Sequence, residues 1–322
     1  MLNAAVYGLG WWGGVLVNAV QGAGRPPSEK IRFVKAIARD PAKYRAFGEK
    51  TGLPIVGSYE DALRDPGVDA IVLATPHAVH HEQILVAAKA RKHVFVEKPL
   101  ALTRGDAESA VAACREARVT LGVGFNRRYA PSVIEMIRRV KAGEIGDLLH
   151  VEGHQSVPIG FKMTETNWRG DPHDAPAGAM TPLGIHTLDS MIALAGPVRT
   201  VHAFSDRRKV SVAADDMTSA HLRFFNGVTG YMATSSITAE MRRLHAFGSK
   251  GWIELRSDNE ITVRGLEGTP TTYRYPEADK ERALLKAFAD AVAAKQAALM
   301  PTVELVNGIA VLEAMVASAK TG

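Results

Sequence analysis

Cysteine is nearly absent: Cys114 is the only one in 322 residues. No internal disulfide can form, so the fold must rest on its hydrophobic core, and a reducing cytoplasm is the compartment that fits. Long apolar runs are missing as well. The apolar opening, Met1 to Val20, is broken by glycines and carries no Lys or Arg before Arg25, so it lacks the basic flank of a secretory leader. No later run reaches the ~18 uninterrupted apolar residues that a membrane helix needs. The expectation is a soluble, cytoplasmic protein with no membrane segment. Charge is not concentrated either. Lys and Arg number 39 against 34 Asp and Glu, a net of +5, spread without a dense basic run. That excludes a nucleic-acid stripe and leaves room for anionic small ligands.

What is present describes an ordinary globular chain of about two domains by length. Its organising stretch is Val94-Phe95-Val96-Glu97-Lys98-Pro99. Three strand-favouring residues run into an acid, a base and a proline. An uncharged β-forming run reads as a strand buried on both faces. The charge pair then sits at its carboxyl end, where open parallel sheets bind ligands. Pro99 ends the strand, since it has no N–H to donate. A surface ion pair is the plain alternative, and the upstream sequence weighs against it.

Leu2 to Tyr7 is a short strand entering Gly8-Leu9-Gly10-Trp11-Trp12-Gly13 and then a helix-compatible run. This is a dinucleotide fingerprint in its required context. Gly8 permits the tight turn, Gly10 lets backbone amides approach a pyrophosphate, and Gly13 lets helix and strand pack closely. Trp11 and Trp12 are bulky for such a loop. One is expected to pack in the core and one to flank the cofactor, with the core the favoured place for each. Gly22 to Ser28 reads as a loop and Ile31 to Ala38 as the second strand.

That strand ends Ala38-Arg39-Asp40-Pro41. Asp40 before a proline suits a helix cap. A small residue followed by Arg39 then suits a 2′-phosphate, which predicts NADP over NAD. The alternative is that Arg39 is merely solvated and either cofactor is taken. Further on, Ala70 to Thr75 is a buried strand ending in Thr75-Pro76-His77. His77, His80 and His81 lie within five residues, but no cysteine or acid completes a metal set, so no metal is expected. The candidate cofactor edge is therefore Gly8, Gly10, Trp11, Trp12, Gly13, Arg39, Thr75, Pro76, His80, Glu97 and Lys98. Strands and helices alternate up to residue 122, giving an α/β, doubly wound parallel sheet over 1–122.

From residue 123 to 322 the pattern changes. Pro131 to Ala142 is an amphipathic helix, 158–180 a long loop, and strands then follow to Tyr275, with a hairpin turn at Asn226-Gly227. Two helices close the chain and could pack back on the first domain. A large sheet with one face turned from its helices must cover that face, which predicts a homodimer or homotetramer.

Four motifs occur in order: Gly8 to Gly13, Thr75-Pro76-His77-Ala78-Val79-His80, Glu97-Lys98-Pro99, and Gly124-Phe125-Asn126-Arg127-Arg128-Tyr129-Ala130-Pro131. Together they resemble the glucose-fructose oxidoreductase / inositol dehydrogenase / MocA family over essentially the whole chain. The resemblance implies a Rossmann domain binding NAD(P), followed by an α+β domain with a large, mostly antiparallel open sheet. It implies reversible oxidation of a sugar, polyol or related cyclic alcohol, with Lys98 between nicotinamide and substrate and a cis Lys98–Pro99 bond.

The segment Gly178 to Asp189 resembles the family's second catalytic segment, in which an acid and a histidine lie four apart. His186 matches the histidine, but Pro182 replaces the acid. Lys98 and His186 are thus the catalytic candidates, and Asp189 is expected to pack or cap. Arg127, Lys162, Trp168, Arg169 and His186 are the substrate candidates; with Arg128 and His173 they could select a carboxylate or phosphate. Loss of the acid at Pro182 also keeps two other readings open, a lyase or hydrolase using the cofactor transiently and a cofactor-binding sensor without turnover.

Overall fold

The computed structural model describes residues 1–24 and 26–321. Arg25, inside the loop expected from Gly22 to Ser28, lies outside the described residues. The chain divides into two compact units.

The first unit comprises 1–101, 105–126 and 279–302. Its elements are β1 (Leu2–Tyr7), α1 (Trp11–Gln21), β2 (Ile31–Ile37), α2 (Arg45–Thr51), β3 (Ile55–Val56), α3 (Tyr59–Arg64), β4 (Ala70–Leu73), α4 (His80–Lys89), β5 (His93–Val96), α5 (Arg104–Ala117) and β6 (Leu121–Val123). The sheet order is β3-β2-β1-β4-β5-β6, and every pairing is parallel. All four residues of β4 are buried, as the unbroken apolar run requires when helices cover both faces. Strand order reverses between β1 and β4, so their carboxyl ends flank the crevice that such sheets use for ligands. The helix expected over 41–51 is divided: Pro41–Tyr44 is a 3-10 turn and α2 follows it.

The second unit comprises 102–104, 127–278 and 303–322. It holds α6 (Pro131–Lys141), β7 (Leu148–Ser156), α7 (Gly184–Ala195), β8 (Val198–Asp206), β9 (Met217–Phe224), β10 (Thr229–Ser235), β11 (Met241–Gly248), β12 (Gly251–Ser257), β13 (Glu260–Gly265) and β14 (Thr271–Arg274). The eight strands run β14-β13-β12-β11-β7-β10-β9-β8, antiparallel except where β7 meets β10. Burial alternates along β9, with Thr218, Ala220, Leu222 and Phe224 inward, the mark of a sheet covered on one face. The long loop over 158–180 contains 3-10 turns at Pro158–Lys162, Trp168–Gly170 and Gly178–Met180.

Two further helices end the chain. Helix α8 (Lys280–Ala293) returns to the first unit. Its Phe288 is fully buried edge-on against Phe95 of β5, ring centroids 5.5 Å apart. Gly122 of β6 makes room, since a Cβ there would lie 2.8 Å from the Phe288 ring. Burying such a ring contributes on the order of 2–3 kcal/mol. Helix α9 (Thr302–Thr321) is long and apolar enough to cross a membrane by length and composition alone. In the second unit it buries Leu305, Gly308, Ile309, Val311, Leu312 and Met315. Its Asn307 exchanges hydrogen bonds with both backbone groups of Val198, at 2.8 and 2.9 Å, and its Ser318 hydroxyl accepts from the Ala203 N–H.

Candidate functional site

The first unit presents a glycine cradle. Gly8 adopts φ +99°, a left-handed conformation that other residues avoid, and a Cβ there would lie 2.5 Å from the Ala74 carbonyl oxygen. A Cβ at Gly13 would collide with the Gly8 carbonyl oxygen, so the start of α1 can approach β1 this closely only without a side chain. Gly10 faces open space. It is also the N-cap residue of α1, and no side chain caps that end. The first amides of a helix have no partner within it and carry partial positive charge. The cradle therefore fits a pyrophosphate, which requires bare backbone donors and no Cβ in the way. Trp11 is 79% exposed beside it, contrary to its expected place in the core, because the first residue of α1 points away from the sheet. Trp12 is half-buried, its ring 5.4 Å from that of Trp11.

At the end of β5 the acid and the base separate. Glu97 is buried, whereas Lys98 is partly exposed and is joined to Pro99 by a cis peptide. The Glu97 carboxyl packs against Gly124, where a Cβ would lie 2.6 Å from Oε2. Burial raises its pKa to about 7, although the Lys98 charge, the Trp12 indole and the Lys98 N–H pull the other way. Glu97 Oε2 and Trp12 Nε1 are both buried with no hydrogen-bond partner of normal geometry. These orphaned polar atoms beside the cradle fit a site that a polar ligand completes.

Four other cofactor candidates, His80, Thr75, Pro76 and Arg39, have the following surroundings. His80 is fully buried. Its Nδ1 lies 2.8 Å from the Pro99 carbonyl oxygen and its Nε2 3.0 Å from that of Thr75. Carbonyls only accept, so the ring nitrogen that carries the proton is the one that donates. His80 thus ties the turn after β4 to the turn after β5. Thr75 donates through Oγ1 to Gln83 Oε1 at 2.6 Å, and Pro76 follows it, partly exposed. Arg39 and Asp40 are exposed just past β2. Asp40 stands at the N-cap position, but its side chain makes no cap hydrogen bond, which corrects the capping role expected for it.

The second unit holds the remaining candidates. His186 lies in the first turn of α7 and is only 7% exposed. Pro182, just before that helix, lines a small hollow together with Arg169, Met163, Val210, Asp215 and Ser236. The Arg169 guanidinium stacks on the Trp168 ring at 4.1 Å, and burial lowers its pKa. Lys162 and His173 are exposed on the same loop. Among the described residues, no group of three or more His, Cys, Asp or Glu converges on a metal-sized site.

Neighbouring arginines after β6 have different surroundings. Arg128 donates through Nε and Nη2 to both oxygens of Asp189, each at 2.7 Å, and through Nη2 to Glu304 at 2.8 Å. Asp189 is thereby a packing residue of α7, held by a fully satisfied ion pair. Arg127 instead donates to a neutral amide, Gln155 Oε1, at 2.5 Å. Sequence reasoning missed Arg242 of β11, which pairs directly with Gln155 across the sheet and bonds Asp258. Only the strand register could have shown it.

A parallel sheet in the order 3-2-1-4-5-6, with a glycine cradle opening its first helix, defines a dinucleotide-binding domain of the Rossmann type. The pattern described as an oxidoreductase family with an NAD-binding Rossmann fold matches residues 2–125, and that of the GFO/IDH/MocA C-terminal domain matches residues 133–254. The chain belongs to the Gfo/Idh/MocA family of NAD(P)-dependent oxidoreductases. An uncharacterized oxidoreductase of Bacillus subtilis, YrbE, is 30% identical over 258 residues, covering 76% of this chain and 71% of the relative. D-xylose 1-dehydrogenase (NADP(+)) 2 of Haloferax volcanii is 27% identical over 297 residues, 88% and 89% of the two chains. The structure of a levoglucosan dehydrogenase with NADH and levoglucosan shares the fold at a TM-score of 0.88, with 21% identity over 99% of this chain and 97% of that one.

Proposed function

We propose that the protein interconverts a carbinol and a carbonyl on a sugar, polyol or related cyclic alcohol, with NADP as the preferred cofactor. The observation that carries this reading is the glycine cradle in the same unit as Lys98, at the carboxyl end of β5. The kinship with named sugar dehydrogenases supports the substrate class. Gly8, Gly10 and Gly13 would hold the pyrophosphate, and Arg39 the 2′-phosphate. Thr75, Pro76, Trp12 and Glu97 would line the rest of the cofactor's path. A bound nicotinamide supplies the two-electron acceptor or donor.

The chain's own residues handle the proton. Lys98 takes it from the substrate hydroxyl in oxidation and returns it to the carbonyl oxygen in reduction. His186 donates a hydrogen bond to that oxygen, stabilising the charge that develops on it. Pro182 has no group to share the proton, so the transfer falls to Lys98 and His186. Trp168 and Arg169 would shape the substrate's surroundings, with Lys162 at their edge.

The test is absorbance at the reduced-nicotinamide band with a panel of sugars, polyols and cyclic diols, using NADP and NAD in parallel. Turnover is expected for at least one compound. Lys98→Met should then reduce kcat about 10²–10⁴-fold while leaving cofactor binding in place. A panel with no redox change, or a Lys98→Met enzyme with undiminished turnover, rejects the proposal.

A further inference from the structure

Arg127 and Arg128 are adjacent in sequence but differently neutralised. Arg128 has two carboxylates within 2.8 Å. The hydrogen-bond partner of the half-buried Arg127 is the uncharged Gln155. Directly across the β7–β11 ladder from Gln155 stands Arg242, and directly paired residues project to the same face of a sheet. Two guanidinium groups therefore flank one amide. Burial lowers the pKa of Arg127 to about 10 and that of Arg242 to about 9, and the Arg127 charge depresses Arg242 further. The acids near them are Asp258, bonded to Arg242, and the exposed Glu240, which acts on Arg127 through its charge. Arg242 has a carboxylate in bonding contact, whereas Arg127 has only the charge of Glu240 nearby, so the guanidinium of Arg127 is not directly neutralised in a poorly solvated place. An arginine pair kept this way is suited to receive an anion.

The register places this cluster beside the start of α7. A Cβ at Gly230, which is paired with Val151, would lie 3.1 Å from Met191, and one at Gly153 would collide with Thr187. Gly184, the first residue of α7, abuts Thr234, which is paired with Gln155. Successive inward residues of β7 thus meet successive turns of α7 in reverse order. Gln155 falls at the level of the helix's first turn, the turn that carries His186.

We infer that Arg127 and Arg242, on either side of Gln155 and level with the first turn of α7, form an oxyanion subsite that selects substrates carrying a carboxylate or phosphate. The inference rests on the proposed sugar or polyol oxidoreductase function and specifies its substrate class as anionic. Gln155 holds the Arg127 fork in place, and Asp258 does the same for Arg242. The remaining guanidinium donors are left for the substrate's oxyanion. Arg127 and Arg242 are specificity residues, distinct from the proton-handling pair.

The test compares kcat/KM for glucuronate, gluconate and glucose 6-phosphate with that for glucose, in the wild type, Arg127→Gln and the double variant Arg242→Met/Asp258→Asn. The wild type is expected to favour a charged compound, and the charged-to-neutral ratio should fall on the order of 100-fold in each variant. Preference for the uronate or aldonate assigns a carboxylate, and preference for glucose 6-phosphate assigns a phosphate. Calorimetric titration of the NADPH-loaded enzyme with gluconate and glucose 6-phosphate reads binding without turnover. Melting curves and NADPH titration check folding; if the double variant does not fold, Arg127→Gln, which loses only a bond to a neutral amide, carries the test. Turnover of neutral sugars with an unchanged ratio overturns the subsite and leaves the oxidoreductase reading standing. Anion binding that depends on Arg127, without redox on any compound, does the reverse. An enzyme that neither binds nor turns over these anions better than glucose also overturns the subsite.

Discussion

The two units hold their candidate residues by different means. In the first, backbone does most of the placing. Gly8 turns where only glycine turns easily, Gly13 admits a carbonyl where a Cβ would sit, and His80 clamps two main-chain carbonyls. In the second, side chains do it across the sheet. Arg127 meets Gln155, Gln155 faces Arg242, and Arg128 joins α7 to α9 through Asp189 and Glu304. Backbone placement yields a generic cradle for a shared cofactor. Side-chain placement can be rewritten by single substitutions, which suits a unit that must distinguish substrates.

The largest effect that would break this contrast lies in the second unit. Arg128→Met leaves Asp189, only 6% exposed, and Glu304 without their cation. Burial pushes the Asp189 carboxyl up, and Arg128 is the charge that opposes it. Removing one partner of a buried pair costs about 3–5 kcal/mol, readable as a lower urea midpoint. The double variant Arg128→Met/Asp189→Leu should recover much of the loss. A single variant as stable as the wild type would show that side-chain networks do not hold this unit.

The same contrast explains what could be read from sequence. The glycine fingerprint and Glu97-Lys98-Pro99 were legible because each is a local run whose backbone demands can be deduced residue by residue. The strands of both sheets were legible too, from apolar runs in the first unit and alternation in the second. Arg242 was not, since it sits in Met241-Arg242-Arg243, where either arginine could face inward. The choice depends on which residue of β7 stands opposite, and register is a tertiary fact. The return of α8 to the first unit was allowed for but not derivable, because an apolar helix face does not name the surface it covers. The core was the favoured place for Trp11, with the cofactor's flank as the alternative; at the first residue of α1 it is exposed.

A smaller effect sharpens the exception in the first unit, the buried side chain of Glu97. Its carboxyl shifts from an ordinary 4.5 up to about 7, with burial as the largest cause. Between those values the folded protein holds a proton that the unfolded chain has released. Stability from this group is therefore fully present below about pH 4.5 and is lost as pH rises to about 7, by about 3 kcal/mol in all. Glu97→Gln should flatten that part of the melting-temperature profile and leave the variant more stable than the wild type at pH 8. An unaltered slope in the variant would mean that Glu97 is ionised throughout, and that this unit tolerates a buried charge as well as the second does.

The smallest effect concerns the end of β2, where backbone placement stops and two exposed side chains compete. Arg39 suits a 2′-phosphate. Asp40 was assigned to a helix cap, yet makes no cap hydrogen bond, so its carboxylate is also available to a ribose hydroxyl. If Arg39 governs, Arg39→Ala should weaken NADP binding about tenfold, about 1.4 kcal/mol, and leave NAD binding unchanged. Asp40→Asn should then do little to either. The opposite pattern, NAD binding lost with Asp40→Asn and NADP binding indifferent to Arg39→Ala, would reverse the preference. Both outcomes appear in one fluorescence titration series. They also decide whether the first unit, generic in its cradle, chooses its cofactor by side chains as the second unit is proposed to choose its substrate.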